Sequence, residues 1–294
     1  MAARIPRLTL LALTGACALS LTSTAAHAVN LVPNPNFESY TSCPFTFGQA
    51  NFATGWDVPN TGTSDYYNAC APPVFPSVNV PYTQLGVRTA LSGNGYCGLI
   101  PFSSAPDYRE YLQVQLTSPL VAGQPYVVKF HVSLADTSLF AVDRIGAYLS
   151  VGQVGPVPNY APLPLTPQVE SPANVPLSNS VGWTQISGVF VAAGGEDHIV
   201  IGSFRDDAST FLANGPGDWP GYSYYFVDDV SVELSLPTEQ ACCLPDGSCS
   251  IQFPGECVYL GGTPAGPGTS CSPNPCQPTK TRSASWGAVK QIYR

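Results

Sequence analysis

Apolar and polar residues alternate with a period of two over long stretches of the chain, the signature of strands with one face buried and one face wet. The clearest case runs from Tyr108 to Asp136. Leu112, Val114 and Leu116 alternate with Tyr111, Gln113, Gln115 and Thr117, and then Tyr126, Val128, Phe130, Val132 and Leu134 alternate with Lys129, His131 and Ser133. The pattern predicts two strands paired antiparallel as a hairpin, with the Gly and two Pro of residues 118–125 as a connection somewhat longer than a tight turn. A one-residue slip would turn every apolar side chain to water, so the register of each strand is firmly set.

Further strands are predicted over 140–151, where Ile145, Ala147 and Leu149 alternate with Gly146, Tyr148 and Ser150, and over 183–191, 198–204 and 222–234. Gly194 and Gly195 predict a hairpin turn between the strands at 183–191 and 198–204. Residues 152–182 are rich in Pro, Asn and Ser, with Leu163 and Leu165 as one apolar island, and read as a long connection lying across a sheet face. No stretch ahead of residue 237 has the spacing of an ordinary helix, and no internal repeat occurs. The expected class is all-β.

Near Pro237 the alternation stops and cysteine density jumps, which divides the chain into a leader (1–28), a β domain (29–236), a cysteine-rich module (239–278) and a linker with a tail (279–294). The leader has Arg4 and Arg7, an apolar run from Leu8 to Leu21, and Ala26-His27-Ala28 as a cleavage triplet, the layout of a secretory signal. A rival reading makes Cys17 a lipid-anchored residue, although Thr14 stands where such sites favour Leu. No later stretch approaches the ~18 consecutive apolar residues of a membrane-spanning helix. In the tail, Trp286, Val289 and Ile292 fall at helical spacing, which suits either a frayed terminus or a sorting or docking peptide.

Charge narrows the partners. Eleven basic against nineteen acidic residues give a formal net charge of −8, more negative still once Arg4 and Arg7 leave with the signal, so nucleic acid and anionic membrane surfaces are not expected. Thirty Pro, 27 Gly and 15 Tyr with 10% charged residues suit an exported protein with many turns, secreted or held at the cell surface. Nothing in the pattern fixes an oligomeric state.

Nine cysteines lie beyond the leader. Cys43 and Cys70 bracket a loop-rich stretch and are expected to pair, leaving Cys97 as a small buried side chain. Cys242, Cys243, Cys249, Cys257, Cys271 and Cys276 are read as three disulfides of open connectivity, with zinc as the alternative, disfavoured because no C-x-x-C pair occurs.

Catalytic chemistry is sought and not found. Beyond the leader the only histidines are His131 and His198, both inside strand patterns, and no G-x-S-x-G elbow, phosphate loop or dinucleotide fingerprint is present. The acidic pairs Glu196-Asp197, Asp206-Asp207 and Asp228-Asp229 are sequence neighbours, which on a strand point to opposite faces. The protein is therefore expected not to be an enzyme. What remains is aromatic: Tyr66, Tyr67, Tyr160, Trp219, Tyr222, Tyr224 and Tyr225 sit in loops or at strand ends, where flat rings with polar tips stack on sugars. Trp219 with Tyr222, and Tyr66 with Tyr67, are the expected ligand-binding residues.

The opening NLVPNPNFE (30–38), Cys43-Pro44, Gly55-Trp56, TSDYYNAC (63–70), REYLQVQLTSPLVAGQPYVV (109–128), VSLAD (132–136) and FVDDVSVE (226–233) together resemble the exported domain found ahead of OmpA-like modules in gliding-motility surface proteins. That domain is similar in turn to galactose-binding-like, calcium-containing carbohydrate-binding modules. The resemblance covers about residues 30–236 and implies a jelly-roll β-sandwich of two antiparallel sheets with adjacent terminal strands. After residue 236 the chain departs from it, having the cysteine-rich module where an OmpA-like domain would stand. Carbohydrate binding is the implied function, and a structural or adhesive surface protein with protein partners is the alternative. The resemblance also implies a structural calcium ion, with Glu38 and Asp228 as side-chain ligands and carbonyls near Asn36 completing the shell.

Overall fold

The computed structural model describes residues 28–219 and 221–276. The expected signal peptide with Cys17, and the tail with Trp286, Val289 and Ile292, lie outside the described residues. In chain order the strands ahead of residue 236 are β1 (Trp56–Asp57), β2 (Asp65–Asn68), β3 (Tyr82–Thr83), β4 (Gly86–Val87), β5 (Gly95–Ser103), β6 (Tyr111–Gln115), β7 (Pro125–Leu134), β8 (Phe140–Val142), β9 (Ile145–Ser150), β10 (Val169–Glu170), β11 (Thr184–Val191), β12 (His198–Ser203), β13 (Leu212–Asn214) and β14 (Tyr222–Leu234). Two five-stranded antiparallel sheets, ordered β1-β6-β12-β9-β10 and β11-β7-β14-β5-β2, form a sandwich.

The alternation forecasts the inward faces. Leu112, Val114, Ile145, Ala147, Leu149, Ile199 and Ile201 of one sheet meet Leu99, Val128, Phe130, Val132, Ile186, Tyr225 and Val227 of the other in one continuous core. Burying a side chain such as Phe130, which has no exposed surface, contributes about 1.5–3 kcal/mol.

The strand at 108–117 does not pair with the strand at 125–134, contrary to the hairpin expected from sequence. β6 pairs with β1 and β12 in one sheet, and β7 pairs with β11 and β14 in the other. The Gly-Gly segment at 192–197 is likewise a crossing between sheets, from β11 to β12, and not a hairpin turn. The two crossings run side by side: Gly123 N–H donates to Ala192 O (2.9 Å), Ala192 N–H to Gln124 O (2.9 Å), and Leu120 N–H to Glu196 O (2.8 Å). Pairs β6/β12 and β7/β11 thus form one long folded hairpin spanning both sheets, which is the jelly-roll arrangement.

Of the connection expected over 152–182, the part around Val154, Val157, Leu163 and Leu165 lies over the first sheet, with Leu163 packed on Tyr111, Val200 and Phe204, whereas Val169–Glu170 join that sheet's edge as β10. The predicted 140–151 strand is two strands, broken at Asp143-Arg144 where Arg144 has φ 52°. Leu31 N–H donates to Val232 O (2.8 Å), which sets the start of the domain against its last strand. Among the described residues no helix is long and apolar enough to cross a membrane.

The module that follows has β15 (Gln240–Cys243), β16 (Cys249–Gln252), α1 (Pro254–Tyr259) and β17 (Thr263–Pro264), with the sheet order β16-β15-β17. Its disulfides are Cys242–Cys257, Cys243–Cys276 and Cys249–Cys271; in the sandwich Cys43 pairs with Cys70, and Cys97 is free and buried. Six sulfurs joined in pairs leave no thiolates for zinc. Four disulfides fit a protein that resides in an oxidising compartment outside the cytoplasm.

Candidate ligand-binding cleft

Strand alternation also builds the outer face of the second sheet. In β2 the ring of Tyr66 points into the sandwich core, while Asp65 and Tyr67 point outward. In β14, Tyr225 and Val227 point inward and Tyr224 and Phe226 outward. Gly98 of β5 lies between them, and a Cβ there would come within 2.3 Å of the Tyr224 hydroxyl oxygen, so the absent side chain makes room for that ring. An open cleft of about 410 Å3 lies on this face, with the buried Asp65, Glu110 and Tyr224 at its floor and Thr63, Tyr108, Thr137, Trp219 and Tyr222 also among its lining.

Trp219 and Tyr222 stand together on the rim, ring centroids 6.1 Å apart and 60° between planes, and are 38% and 37% exposed. Their loop is pinned from below. Gly215 N–H donates to Leu139 O (2.7 Å), Gly217 N–H to Ser138 O (2.9 Å) and Trp219 N–H to Thr137 O (3.1 Å). Gly217 lies so close to Thr137 that a Cβ would meet its carbonyl carbon at 2.3 Å. Tyr108 stacks obliquely with Tyr160, 5.0 Å between centroids.

Tyr66 and Tyr67 are not part of this platform. Both are fully buried, the Tyr66 hydroxyl donating to Phe37 O (2.8 Å) and the Tyr67 ring packed edge-on to Phe226 with centroids 5.3 Å apart. The expectation came from reading TSDYYNAC as a loop; residues 65–68 are the edge strand β2, covered on both faces, Tyr66 lying in the sandwich core and Tyr67 in a second apolar cluster with Ala71, Val78, Val80 and Leu85, so neither ring has a free face for a sugar.

Two carboxyl groups that the sequence reading passed over form the polar part of the floor. Asp65 accepts from Gly48 N–H (2.5 Å), from the Tyr224 hydroxyl and from the Tyr67 hydroxyl (3.4 Å), while Tyr67 also donates to Tyr224 Oη (2.9 Å). Glu110 accepts from Thr63 N–H (3.0 Å), Thr63 Oγ1 (3.0 Å), Tyr108 Oη (2.7 Å) and Ile100 N–H (2.9 Å). Burial, then the neighbouring Glu110 charge, pushes Asp65 up to about 8, and burial pushes Glu110 above the usual carboxylate range. Among the described residues no Lys, Arg or His side chain lines the cleft. Arg109, the next residue, points away to Arg205 O (3.0 Å) and Asp207 (2.9 Å).

The residues expected to hold calcium converge on one loop. Glu38 accepts from Asn94 N–H (2.6 Å) and Gly95 N–H (2.7 Å); Asp228 accepts from Leu91 N–H (2.8 Å) and Asp229 N–H (2.7 Å); Asp229 accepts from Ser92 Oγ (2.5 Å). Asn36, half-buried, shares none of these bonds. Burial and the Asp229 charge raise Asp228 to about 8. Among the described residues no three His, Cys, Asp or Glu side chains are arranged to hold a metal ion. The set fits a hard cation only where backbone carbonyls supply most of the oxygens.

No family model and no curated protein matches this chain. Among solved structures it is similar to the CBM22-1 xylan-binding domain from Paenibacillus barcinonensis Xyn10C (13% identity, TM-score 0.38, 72% of this chain and 97% of that one). It is also similar to the family 22 carbohydrate binding module at the C-terminal end of Clostridium thermocellum Xyn10B (10%, 0.32, 68% and 92%) and to a cleaved adhesin domain of Lys-gingipain from Porphyromonas gingivalis (14%, 0.33, 62% and 92%). Likenesses this distant assign no ligand to this chain.

Proposed function

We propose that this is an exported, non-catalytic protein that binds carbohydrate in the cleft under Trp219 and Tyr222. The observation that carries the reading is the half-exposed Trp219–Tyr222 pair on the rim of an open cleft with a polar floor, since aromatic faces offer sugar rings apolar contact while floor groups fix their hydroxyls. The two cleft carboxyl groups are engaged by seven hydrogen bonds between them, which suits positioning more than proton transfer. In a glycan-array or affinity-electrophoresis test of the full chain, the double variant Trp219→Ala, Tyr222→Ala is expected to lose retention while its Tm stays within a few degrees. Retention that survives the double variant, or a collapsed fold, overturns the assignment of these rings.

A structural calcium ion between Glu38 and Asp228 belongs to the same proposal, supported by three carboxyl groups meeting one five-residue loop with no basic side chain paired to them among the described residues. An ion held only by the native state at a hundredfold excess over its Kd stabilises by about 2.7 kcal/mol. Chelation is expected to lower the wild-type Tm by several degrees, and Glu38→Gln or Asp228→Asn to start low and respond little. Identical melting with and without chelator removes the ion from the proposal.

A second reading, attachment to a protein partner, draws on one observation. The small module exposes Ile251, Phe253, Val258, Tyr259 and Leu260, Tyr259 to 91%.

A further inference from the structure

The hydrogen-bond polarity of the cleft specifies more than its shape does. The hydroxyls nearest the floor carboxyl groups give their protons to them, Tyr108 and Thr63 to Glu110 and Tyr224 to Asp65, while Tyr67 donates to Tyr224 and, at 3.4 Å, towards Asp65. Ser138 points its hydroxyl at Tyr224 O (3.3 Å), and Ser103 Oγ accepts from Ala105 N–H (3.1 Å). The hydroxyls of Tyr108, Thr63 and Tyr224 therefore present lone pairs to an incoming ligand, whereas Ser103, which accepts, keeps a proton to give. A tyrosine or threonine hydroxyl that has given its proton away acts only as an acceptor, and the two carboxyl groups become acceptors outright once a cation holds them ionised. Among the described residues the lining holds no Lys, Arg or His to reverse that polarity.

An ordinary sugar hydroxyl both donates and accepts, so a neutral glycan placed over Glu110 and the hydroxyls of Tyr108 and Thr63 uses only its donors there. A carboxylated or sulfated glycan would bring acceptors and negative charge to a site made of both. An ammonium group is the complement, with three donors, no acceptor and a positive charge. The aromatic rim favours the same group, because Trp219, Tyr222 and Tyr108 offer ring faces to a cation next to the carboxylates. Such a ligand would also hold Asp65 and Glu110 in their ionised forms, which burial opposes.

We propose that the preferred ligand of the cleft is a glycan containing amino sugar with a free, protonated amine. The proposal rests on the carbohydrate reading above and adds to it the chemical class of the sugar. The ammonium would sit between Tyr108 and Tyr224, over Glu110 and Asp65, with an adjoining sugar ring against Trp219 or Tyr222.

The test is calorimetric titration of the full chain at pH 6 and low salt with four probes of equal length: a glucosamine oligomer, its N-acetylated counterpart, a neutral glucose oligomer and a galacturonate oligomer. The glucosamine oligomer is expected to bind on the order of tenfold tighter than the acetylated and neutral ones, a gap that narrows as salt is added. Glu110→Gln is expected to close most of that gap. Because Glu110 is buried, Tyr108→Phe serves as the second variant: it keeps the half-exposed ring and removes the hydroxyl oxygen, so it should lower glucosamine affinity by a larger factor than neutral-glycan affinity. Equal or tighter binding of the neutral or acetylated oligomer overturns the amine preference and leaves the carbohydrate reading standing. Binding of oligolysine with none of the four glycans, or no binding at all, overturns both.

Discussion

Reduction is expected to unfold the 240–276 module and leave the sandwich folded. In the module only Ala241, Cys242 and Cys257 are fully buried among apolar side chains, while Ile251, Phe253, Val258, Tyr259 and Leu260 face water. A core of two half-cystines and an alanine cannot offset the ordering of nearly forty residues, at roughly 1–2 kcal/mol of backbone entropy each. The cross-links reduce what the unfolded chain has to lose. Separations of 15, 22 and 33 residues between partners make each worth roughly 3–4 kcal/mol in the loop-entropy picture. The sandwich has a continuous two-sheet core and one bridge, Cys43–Cys70, so it is expected to keep its fold without it. After reduction and alkylation, limited proteolysis should cut throughout 237–276 and spare 30–235. A module that stays protected when all six sulfurs are capped would show that its few strands and short helix stand unaided.

Faces were legible in the sequence and partners were not. The inward residues of β6, β7, β9, β11 and β12 follow from period two alone, yet alternation says which side of a strand is buried and nothing about which strand lies next to it. That is why Leu112–Leu116 and Tyr126–Leu134 read as a hairpin when they belong to opposite sheets. Strand β5, next to the last strand and nine residues long, left no alternating trace. It is buried on both faces, and Gly95 and Gly98 are present because Asn68 and Tyr224 need the space. The same burial hid the cleft floor. Trp219 and Tyr222 stood out as rings in a Gly/Pro-rich loop, whereas Asp65 and Glu110 come from separate segments and meet only through the fold. A signal was there to follow: Asp65 shares a face with Tyr67 in a strand that is buried throughout, and a carboxylate in such a place needs donors to satisfy it.

Those buried carboxylates set the second large effect, a fall in stability as pH rises. Asp65 has its folded pKa at about 8 against an ordinary value of 3.8, Asp228 likewise, and Glu110 is raised from 4.5. Between the unfolded and folded values the native state binds more protons than the unfolded chain, so the free energy of unfolding decreases with pH across that window. The contribution is fully present below about pH 4 and is lost as pH passes through about 8. Asp197, Asp206 and Asp246, held below the usual range by hydrogen bonds, act in the opposite sense, but at the acid end and from exposed positions. Without added ligand or calcium, Tm is therefore expected to fall from pH 5 to pH 8 by more than about 10 °C, since each pH unit over which a group stays protonated only in the folded state is worth about 1.4 kcal/mol. Asp65→Asn keeps the shape and removes the charge, and it should flatten the slope while raising Tm at pH 8. Asp228→Asn should flatten it too. The two carboxylates are then separable by what binds them: calcium should remove the Asp228 share by keeping that group ionised, and a glucosamine oligomer the Asp65 share. A wild-type Tm that rises steadily from pH 5 to pH 8 in the ligand-free protein would mean that these groups are ionised and well solvated in the native state, and the acidic cleft floor described above would be wrong.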